Sequence, residues 1–217
     1  MEQQHIPTTP YTESEERWNT ITHGIGTILA FLAMLGLMYH TIRQGDWLEI
    51  ISVGIYGLSL VILYLASTSY HAARERKWKD ILRKVDKLCI YLLIAGTYTP
   101  VALLGVGGNW GWGLCISIWV LTLIGFIFQF SPLQKYESLS LLLYAAMGWL
   151  SVIGAEPLLN NLAWEALALL VAGGIFYTSG IYFYVQEKIH FNHVIWHVFV
   201  LAGSVSHFLG IYVYILE

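Results

Sequence analysis

Two histidines near the carboxyl end of the sequence stand at a spacing that suits metal binding. In HVIWHVFVLAGSVSHF, residues 193–208, His193 and His197 are four positions apart and would share one face of a helix. The surrounding residues are as apolar as those of a membrane helix, where an ionisable side chain is costly and usually functional. The run therefore predicts a polar site within a membrane.

Two other apolar runs bring polar residues to the same depth. Ser67 and His71 are again four positions apart at the end of one run, and Asp86 opens the next. At about 1.5 Å per helical residue, His71 and Asp86 lie within about two turns of the membrane face that His193 and His197 approach. We therefore expect these side chains to form one site inside a helical bundle.

Three imidazoles beside a carboxylate indicate a divalent metal, with His71, His193 and His197 as ligands of Zn²⁺. Catalytic zinc takes three protein ligands, leaves one position open and lowers the pKa of bound water to about 7. In such a site Asp86 would accept the proton of that water, and Ser67 would support the oxyanion. The pattern thus predicts metal-assisted hydrolysis.

Structural interpretations of the same residues stay open. A single buried histidine is more often a hydrogen-bonded core residue, Asp86 could be the N-cap of a helix, and Ser67 could bond a backbone carbonyl one turn back. His23, whose only partner at helical spacing is Asn19, is a spare candidate for the site. The remaining histidines are expected inside the bundle, at the membrane interface or in solvent; they are His5, His40, His190 and His207.

The composition predicts a polytopic membrane protein. Of the 217 residues, 57% are hydrophobic and 12% are charged, about half the charge of a soluble domain. Seven runs reach the length of about 20 apolar residues that crosses a bilayer. They are residues 20–41, 47–70, 87–106, 110–130, 138–155, 163–185 and 191–214.

Short connectors between these runs leave no room for a second domain. We therefore expect an all-α fold, a seven-transmembrane helix bundle over residues 18–217. A disordered cytoplasmic tail, residues 1–17, would precede it.

The charges between the runs predict the orientation. With the amino terminus in the cytoplasm, the inner segments hold ten lysines and arginines and the outer segments hold only Arg43, a strong positive-inside bias. The carboxyl-terminal Glu217 then lies outside. Four tryptophans fall at the outer interface, where indole rings are favoured: Trp47, Trp110, Trp112 and Trp164. We expect a multi-pass protein of the cell inner (plasma) membrane, with membrane lipids and no nucleic acid as partners.

Several reaction classes lack their motifs. HVIWH has no glutamate at the position that the HExxH metalloproteases require. The sequence also has no G-x-S-x-G elbow, no P-loop and no dinucleotide fingerprint. Proteolysis of the HExxH type and nucleotide chemistry are therefore disfavoured.

Five segments in a fixed order are similar to one known family. They are NTITHGIG at 19–26, STSYHAA at 67–73, DKLCIYLLIAGTYTP at 86–100, GGIFYTSGIYFY at 173–184 and HVIWHVFVLAGSVSHF at 193–208. Together they resemble the hemolysin III family, the bacterial branch of the progestin and adipoQ receptor (PAQR) proteins. The resemblance implies a seven-helix bundle with the amino terminus inside.

The resemblance also implies roles for individual residues. The family pattern S-x-x-x-H falls on Ser67 and His71, its aspartate on Asp86, and H-x-x-x-H on His193 and His197. In the receptor branch the matching histidines hold zinc and the aspartate position contacts it through water. Related ceramidases imply hydrolysis of lipid amides by the same residues.

We therefore expect a zinc-dependent lipid amide or ester hydrolase that acts in membrane lipid homeostasis. One alternative is a lipid-state sensor or receptor-like protein in which the zinc is structural. The other is a pore-forming cytolysin, as the family name suggests. The pore is the least favoured, because the long apolar runs carry no ring of like charge.

Overall fold

The computed structural model describes residues 11–216, and the regular structure within that range is entirely helical. Turns of π-helix (Val101–Val106) and of 3₁₀-helix (Pro132–Lys135 and Leu150–Gly154) join some of the α-helices. The all-α expectation is confirmed for this range. The α-helices are α1 (Glu13–Gln44), α2 (Trp47–Ala72), α3 (Arg76–Pro100), α4 (Gly108–Phe130), α5 (Glu137–Gly148), α6 (Ala155–Asn161), α7 (Trp164–Val185) and α8 (Asn192–Tyr214).

Six helical segments of this range are long and apolar enough to cross a membrane. They are α1, α2, α3 with its π-helical extension, α4, α7 and α8. The fifth predicted run, residues 138–155, is instead divided between α5, a 3₁₀ turn and the start of α6. The expectation of a continuous helix there is wrong.

A side chain from α3 stabilises this break. The Tyr98 hydroxyl donates a hydrogen bond to the Gly148 carbonyl at 2.9 Å and accepts one from the Ser151 N–H at 2.9 Å. A backbone that leaves the helical pattern inside a membrane needs such partners, because lipid offers none. Helix α5 ends at Gly148, a residue that favours helix termination.

Helix α3 begins at Arg76, well before the predicted start at residue 87. The segment RKWKDILRK was expected to be a connector, but its apolar residues recur at helical spacing at Trp78, Ile81 and Leu82. Trp78 and Ile81 are exposed, as suits a helix at a membrane interface. Asp86 therefore lies inside α3, and the N-cap interpretation of it is wrong.

Helix α1 begins at Glu13, within the stretch predicted to be a disordered tail. Thr12 caps it: its hydroxyl accepts the Glu15 N–H at 3.2 Å, and the Glu15 carboxylate accepts the Thr12 N–H at 2.8 Å. This reciprocal pair is a capping box, which stabilises a helix start. Residues 1–10 of the predicted tail lie outside the described residues.

Helix α1 contacts both helices that carry the three histidines. Helix α1 packs along α2 and also contacts α8, while α7 packs along α8. The close approach of α1 to α2 depends on Gly26, where an added Cβ would lie 2.6 Å from the Tyr64 ring. Large apolar side chains point outward from the bundle, among them Ile28 and Ile127. Several polar residues of α2 and α8 are buried inside the bundle, among them Ser67, His71 and His197.

Candidate metal centre

Three histidines from two helices converge at one point. His71 lies at the end of α2, and His193 and His197 lie in the first turns of α8. All three are buried, and one ring nitrogen from each lies within 4.8 Å of those from the other two. The structure therefore brings together the three predicted ligands, and such a group could hold a metal ion.

The hydrogen bonds of His71 suit a metal ligand. Its Nδ1 lies 2.7 Å from Glu16 Oε2, and the other oxygen of that carboxylate lies 2.8 Å from Lys79 Nζ. An ionised carboxylate only accepts hydrogen bonds, so the imidazole proton is on Nδ1. The lone pair is then on Nε2, which is buried and has no hydrogen-bond partner among the described residues.

His197 is held in the same way by α1. Its Nδ1 lies 3.1 Å from Thr22 Oγ1, and that hydroxyl donates its proton to the backbone carbonyl of Trp18 or Asn19. With its proton directed to a carbonyl, the Thr22 hydroxyl can accept a hydrogen bond from His197 Nδ1. In that tautomer the lone pair of the ring is on Nε2.

Tyr11 supplies the partner of the third ring. Its hydroxyl lies 2.9 Å from His193 Nδ1, and the two ring centroids are 4.8 Å apart. Burial raises the pKa of the Tyr11 phenol well above its usual range, so the group remains a neutral phenol that can accept the Nδ1 proton. We call Tyr11, Glu16 and Thr22 the Nδ1 partners.

Asp86 and Ser67 lie in the cavity that the histidines border. Ser67 is buried on α2, one turn before His71, and Asp86 lies on α3. Both residues line the same cavity as His193 and His197. A proton acceptor and a hydroxyl thus face the space beside the candidate ligands.

This cavity has a volume of about 270 Å³. Its lining includes His193, His197 and Asp86 together with many apolar side chains, with contributions from α3, α5 and α7. Lys87 of α3 and Glu137 of α5 form an ion pair of 2.9 Å in the same wall. The cavity therefore suits an amphiphilic molecule better than a fully polar one.

Comparison with known proteins identifies the family. The Haemolysin-III related family matches residues 11–208, nearly the whole chain. This chain belongs to the hemolysin III family. Together with its six long apolar helices, the match makes it a multi-pass membrane protein.

Individual members of the hemolysin III family are similar over most of their length. The chain is 42% identical to Hemolysin-3 of Bacillus cereus over 202 residues, 93% of this chain and 92% of that protein. It is 41% identical to the Hemolysin-3 homolog of Bacillus subtilis (strain 168) over 207 residues, 95% and 97% of the two chains. The monocyte to macrophage differentiation factor of Homo sapiens is 29% identical over 209 residues, 93% and 84% of the two chains. This mammalian relative supports the predicted relation between the hemolysin III family and the PAQR proteins.

Two of the remaining histidines contact backbone carbonyls, and a third is exposed. His207 Nε2 contacts the Leu170 carbonyl at 3.0 Å, His40 Nε2 contacts the Leu216 carbonyl at 3.3 Å, and His190 is exposed. His23 is buried beside the site, but its ring nitrogens are not among those that converge. His5 lies outside the described residues.

Sequence reasoning missed all three Nδ1 partners. It assigned Tyr11 and Glu16 to a disordered tail and gave Thr22 no role. A signal was present, because Asn19 and His23 continue the helical spacing of Glu16 within NTITHGIG and mark one polar face of α1. The N-cap signal at Thr12 and Glu15 would have extended the helix to include Glu16.

Proposed function

We propose that this member of the hemolysin III family is a zinc-dependent membrane hydrolase that cleaves an amide or ester bond of a membrane lipid. One observation carries the proposal. His193 and His197 share a cavity with Asp86 and Ser67, and His71 converges on the same two rings. Three neutral nitrogen ligands, a proton acceptor and an amphiphilic cavity are the parts that such a reaction needs.

The residues have separate roles in this reaction. His71, His193 and His197 would hold the zinc through Nε2. When bound, zinc supplies Lewis-acid polarisation of a carbonyl and lowers the pKa of a water to about 7. The Asp86 carboxylate takes up the proton of the attacking water and returns it to the leaving group. The Ser67 hydroxyl, which lines the same cavity as Asp86, His193 and His197, would support an oxyanion.

The substrate class follows from the cavity. Apolar side chains such as Ile90, Leu93 and Leu141 line its length and suit an acyl chain. The scissile carbonyl would lie at the histidine end. A role in membrane lipid homeostasis is consistent with this placement.

The topology belongs to the same proposal. The chain crosses the cell membrane seven times, six times as continuous helices and once through the broken segment from α5 to α6. Residues 18–217 form one domain with the amino terminus in the cytoplasm.

The orientation can be tested by cysteine labelling. Cys89 and Cys115 are the only cysteines, so single cysteines at the positions of Glu75 and Asp46 in a cysteine-free variant report which side each position faces. We expect impermeant maleimide to label Asp46→Cys, and not Glu75→Cys, in intact cells.

A second function is favoured by the position of the ligands. A metal held by His71 and His197 would join α2 to α8, and a structural zinc would stabilise the bundle in a lipid sensor or receptor-like protein. In that case histidine variants lower the thermal stability and the output signal, and no lipid product forms.

Lipid turnover separates the two functions. Purified, zinc-loaded protein is incubated with a panel of lipid amides and esters, beside the His197→Ala variant. We expect a hydrolysis product with the wild type and none with the variant. Equal turnover by both would count against the hydrolase, and a zinc-loaded wild type with no product would favour the sensor.

A further inference from the structure

Helix α1 and the residue Tyr11 contribute no ligand to the candidate metal centre, yet they contact every ligand. Each Nδ1 partner holds a different histidine, at 2.9 Å for Tyr11, 2.7 Å for Glu16 and 3.1 Å for Thr22. The ligands come from α2 and α8, so the contacts cross two separate helix interfaces. One short segment, residues 11–22, thus reaches all three rings.

These contacts determine which nitrogen faces the metal site. An imidazole offers a lone pair on Nε2 only when its proton is on Nδ1. The Glu16 carboxylate only accepts, so it fixes the Nδ1 tautomer of His71. The Thr22 hydroxyl, whose proton can go to a backbone carbonyl, and the neutral Tyr11 phenol can accept from Nδ1 of the other two rings, and in that tautomer all three bind a metal through Nε2.

His23 adds a second constraint on one ring. It stacks on His197 with the centroids 3.4 Å apart and the planes within 12°. Its own edge meets Tyr64 at 5.0 Å. The His197 imidazole therefore cannot rotate about its χ2 bond without displacing His23.

The same segment also contacts the starts of α3 and α8. The Glu15 carboxylate accepts the Phe191 N–H at 3.1 Å, and Glu16 pairs with Lys79 at 2.8 Å. Phe191 has a left-handed backbone with φ of 58°, which is unfavourable for a residue other than glycine. Glu15 thus stabilises the turn that leads into α8, two residues before His193. Helix α1 thus connects the start of α3 to the start of α8.

We infer that residues 11–22 are the positioning segment of the metal centre: Tyr11, Glu16 and Thr22 fix the tautomer and orientation of the three ligands when α1 docks. This inference rests on the proposed metal site. It makes the Nδ1 partners positioning residues, because they act through the histidines. A purely structural role would instead affect the fold equally with and without metal.

Three substitutions with matched controls on α1 test the inference. Thr22→Val, Tyr11→Phe and Glu16→Gln change the Nδ1 partners. The controls make the same changes on α1 away from the histidines: Thr20→Val, Tyr39→Phe and Glu13→Gln. Zinc affinity is measured by competition with a chelator, and the melting temperature is measured on metal-free protein.

We expect Thr22→Val and Tyr11→Phe to weaken zinc binding by about 10- to 100-fold while the metal-free melting temperature matches that of their controls. Thr22→Ser keeps the acceptor oxygen and should restore wild-type affinity. Glu16→Gln keeps an acceptor oxygen but removes the charge, so zinc affinity should fall less in Glu16→Gln than in Thr22→Val. In the cobalt-substituted protein, the visible absorption bands should shift in Thr22→Val and not in Thr20→Val.

Several outcomes overturn the inference. One is zinc affinity in all three variants equal to that of the wild type. Another is a loss of zinc affinity accompanied by a proportional fall in the melting temperature of the metal-free protein. If the wild type itself binds no zinc, the proposed function fails together with the inference. If the wild type binds zinc and the variants bind it equally, the inference alone fails.

Discussion

The Glu16 carboxylate and the His71 imidazole lie 2.7 Å apart across the interface between α1 and α2. Such a pair raises the basicity of the ring as a ligand and fixes its orientation. Lys79 pairs with the same carboxylate at 2.8 Å, so the partly buried negative charge of Glu16 is compensated by a positive charge. The start of α3 thereby contributes to the site, although it holds no ligand.

The first prediction concerns metal content. His71→Ala and His197→Ala should each lower the zinc content from roughly one ion per chain to none, because two remaining ligands do not make a stable site. Elemental analysis of gently extracted protein measures this. His40→Ala is the control, since His40 lies near the carboxyl end of α1, where its ring contacts the Leu216 carbonyl. A His197→Ala protein that keeps its full zinc content would contradict the ligand assignment.

The second prediction separates Asp86 from the ligands. Asp86→Asn removes the proton acceptor and should lower lipid hydrolysis by about 10²- to 10⁴-fold while zinc content is unchanged. The control is Asp80→Asn, an exposed aspartate on the same helix whose partner is Arg83. Turnover and zinc content are measured on the same preparations. Loss of zinc in Asp86→Asn would instead make Asp86 a ligand.

The third prediction concerns the break between α5 and α6. Tyr98→Phe leaves the Gly148 carbonyl and the Ser151 N–H without their partner. We expect a loss of stability of about 1–3 kcal/mol, seen as a lower unfolding midpoint in detergent. Tyr39→Phe removes an exposed hydroxyl and should have little effect. Equal unfolding midpoints for the two variants would show that other groups hydrogen-bond the Gly148 carbonyl and the Ser151 N–H.

The fourth prediction concerns the packing of α1 on α2. A Cβ on Gly26 would lie 2.6 Å from the Tyr64 ring, whereas one on Gly36 would meet no atom within 4 Å. Gly26→Ala should therefore displace α1 and weaken zinc binding, because the Nδ1 partners move with it. Gly36→Ala should leave binding unchanged and stabilise the helix by up to about 1 kcal/mol. Chelator competition and thermal unfolding measure the two effects.

The fifth prediction concerns the docking of α1. Metal removal should increase amide hydrogen exchange in residues 13–22, since α1 and the bound ligands stabilise each other. The carboxyl-terminal half of α1, around Tyr39, is the internal control and should be unchanged. Equal exchange with and without zinc would mean that α1 docks independently of the metal.

Much of the site could be predicted from the sequence because its signals are local. The spacing of four between His193 and His197, and between Ser67 and His71, places each pair on one helix face whatever surrounds the helix. Hydropathy likewise predicts membrane helices without knowledge of their neighbours. The similar depth of these residues along their helices was then sufficient to predict that the ligands from α2 and α8 lie close together.

The error at residues 138–155 has a physical cause. The run is apolar throughout, and hydropathy does not report whether another helix satisfies a broken backbone. Tyr98 lies about 50 residues away and supplies both hydrogen bonds. A long-range partner of this type has no local signal.

The sequence by itself determined that the protein belongs in a membrane, that its described fold is helical and which histidines converge, because hydropathy and helical spacing are local properties. Only the tertiary structure decided that α1 packs against both α2 and α8 and so places Tyr11, Glu16 and Thr22 on the three rings. These contacts join residues between 55 and 182 positions apart. They exist because of helix packing, which spacing within one segment does not encode.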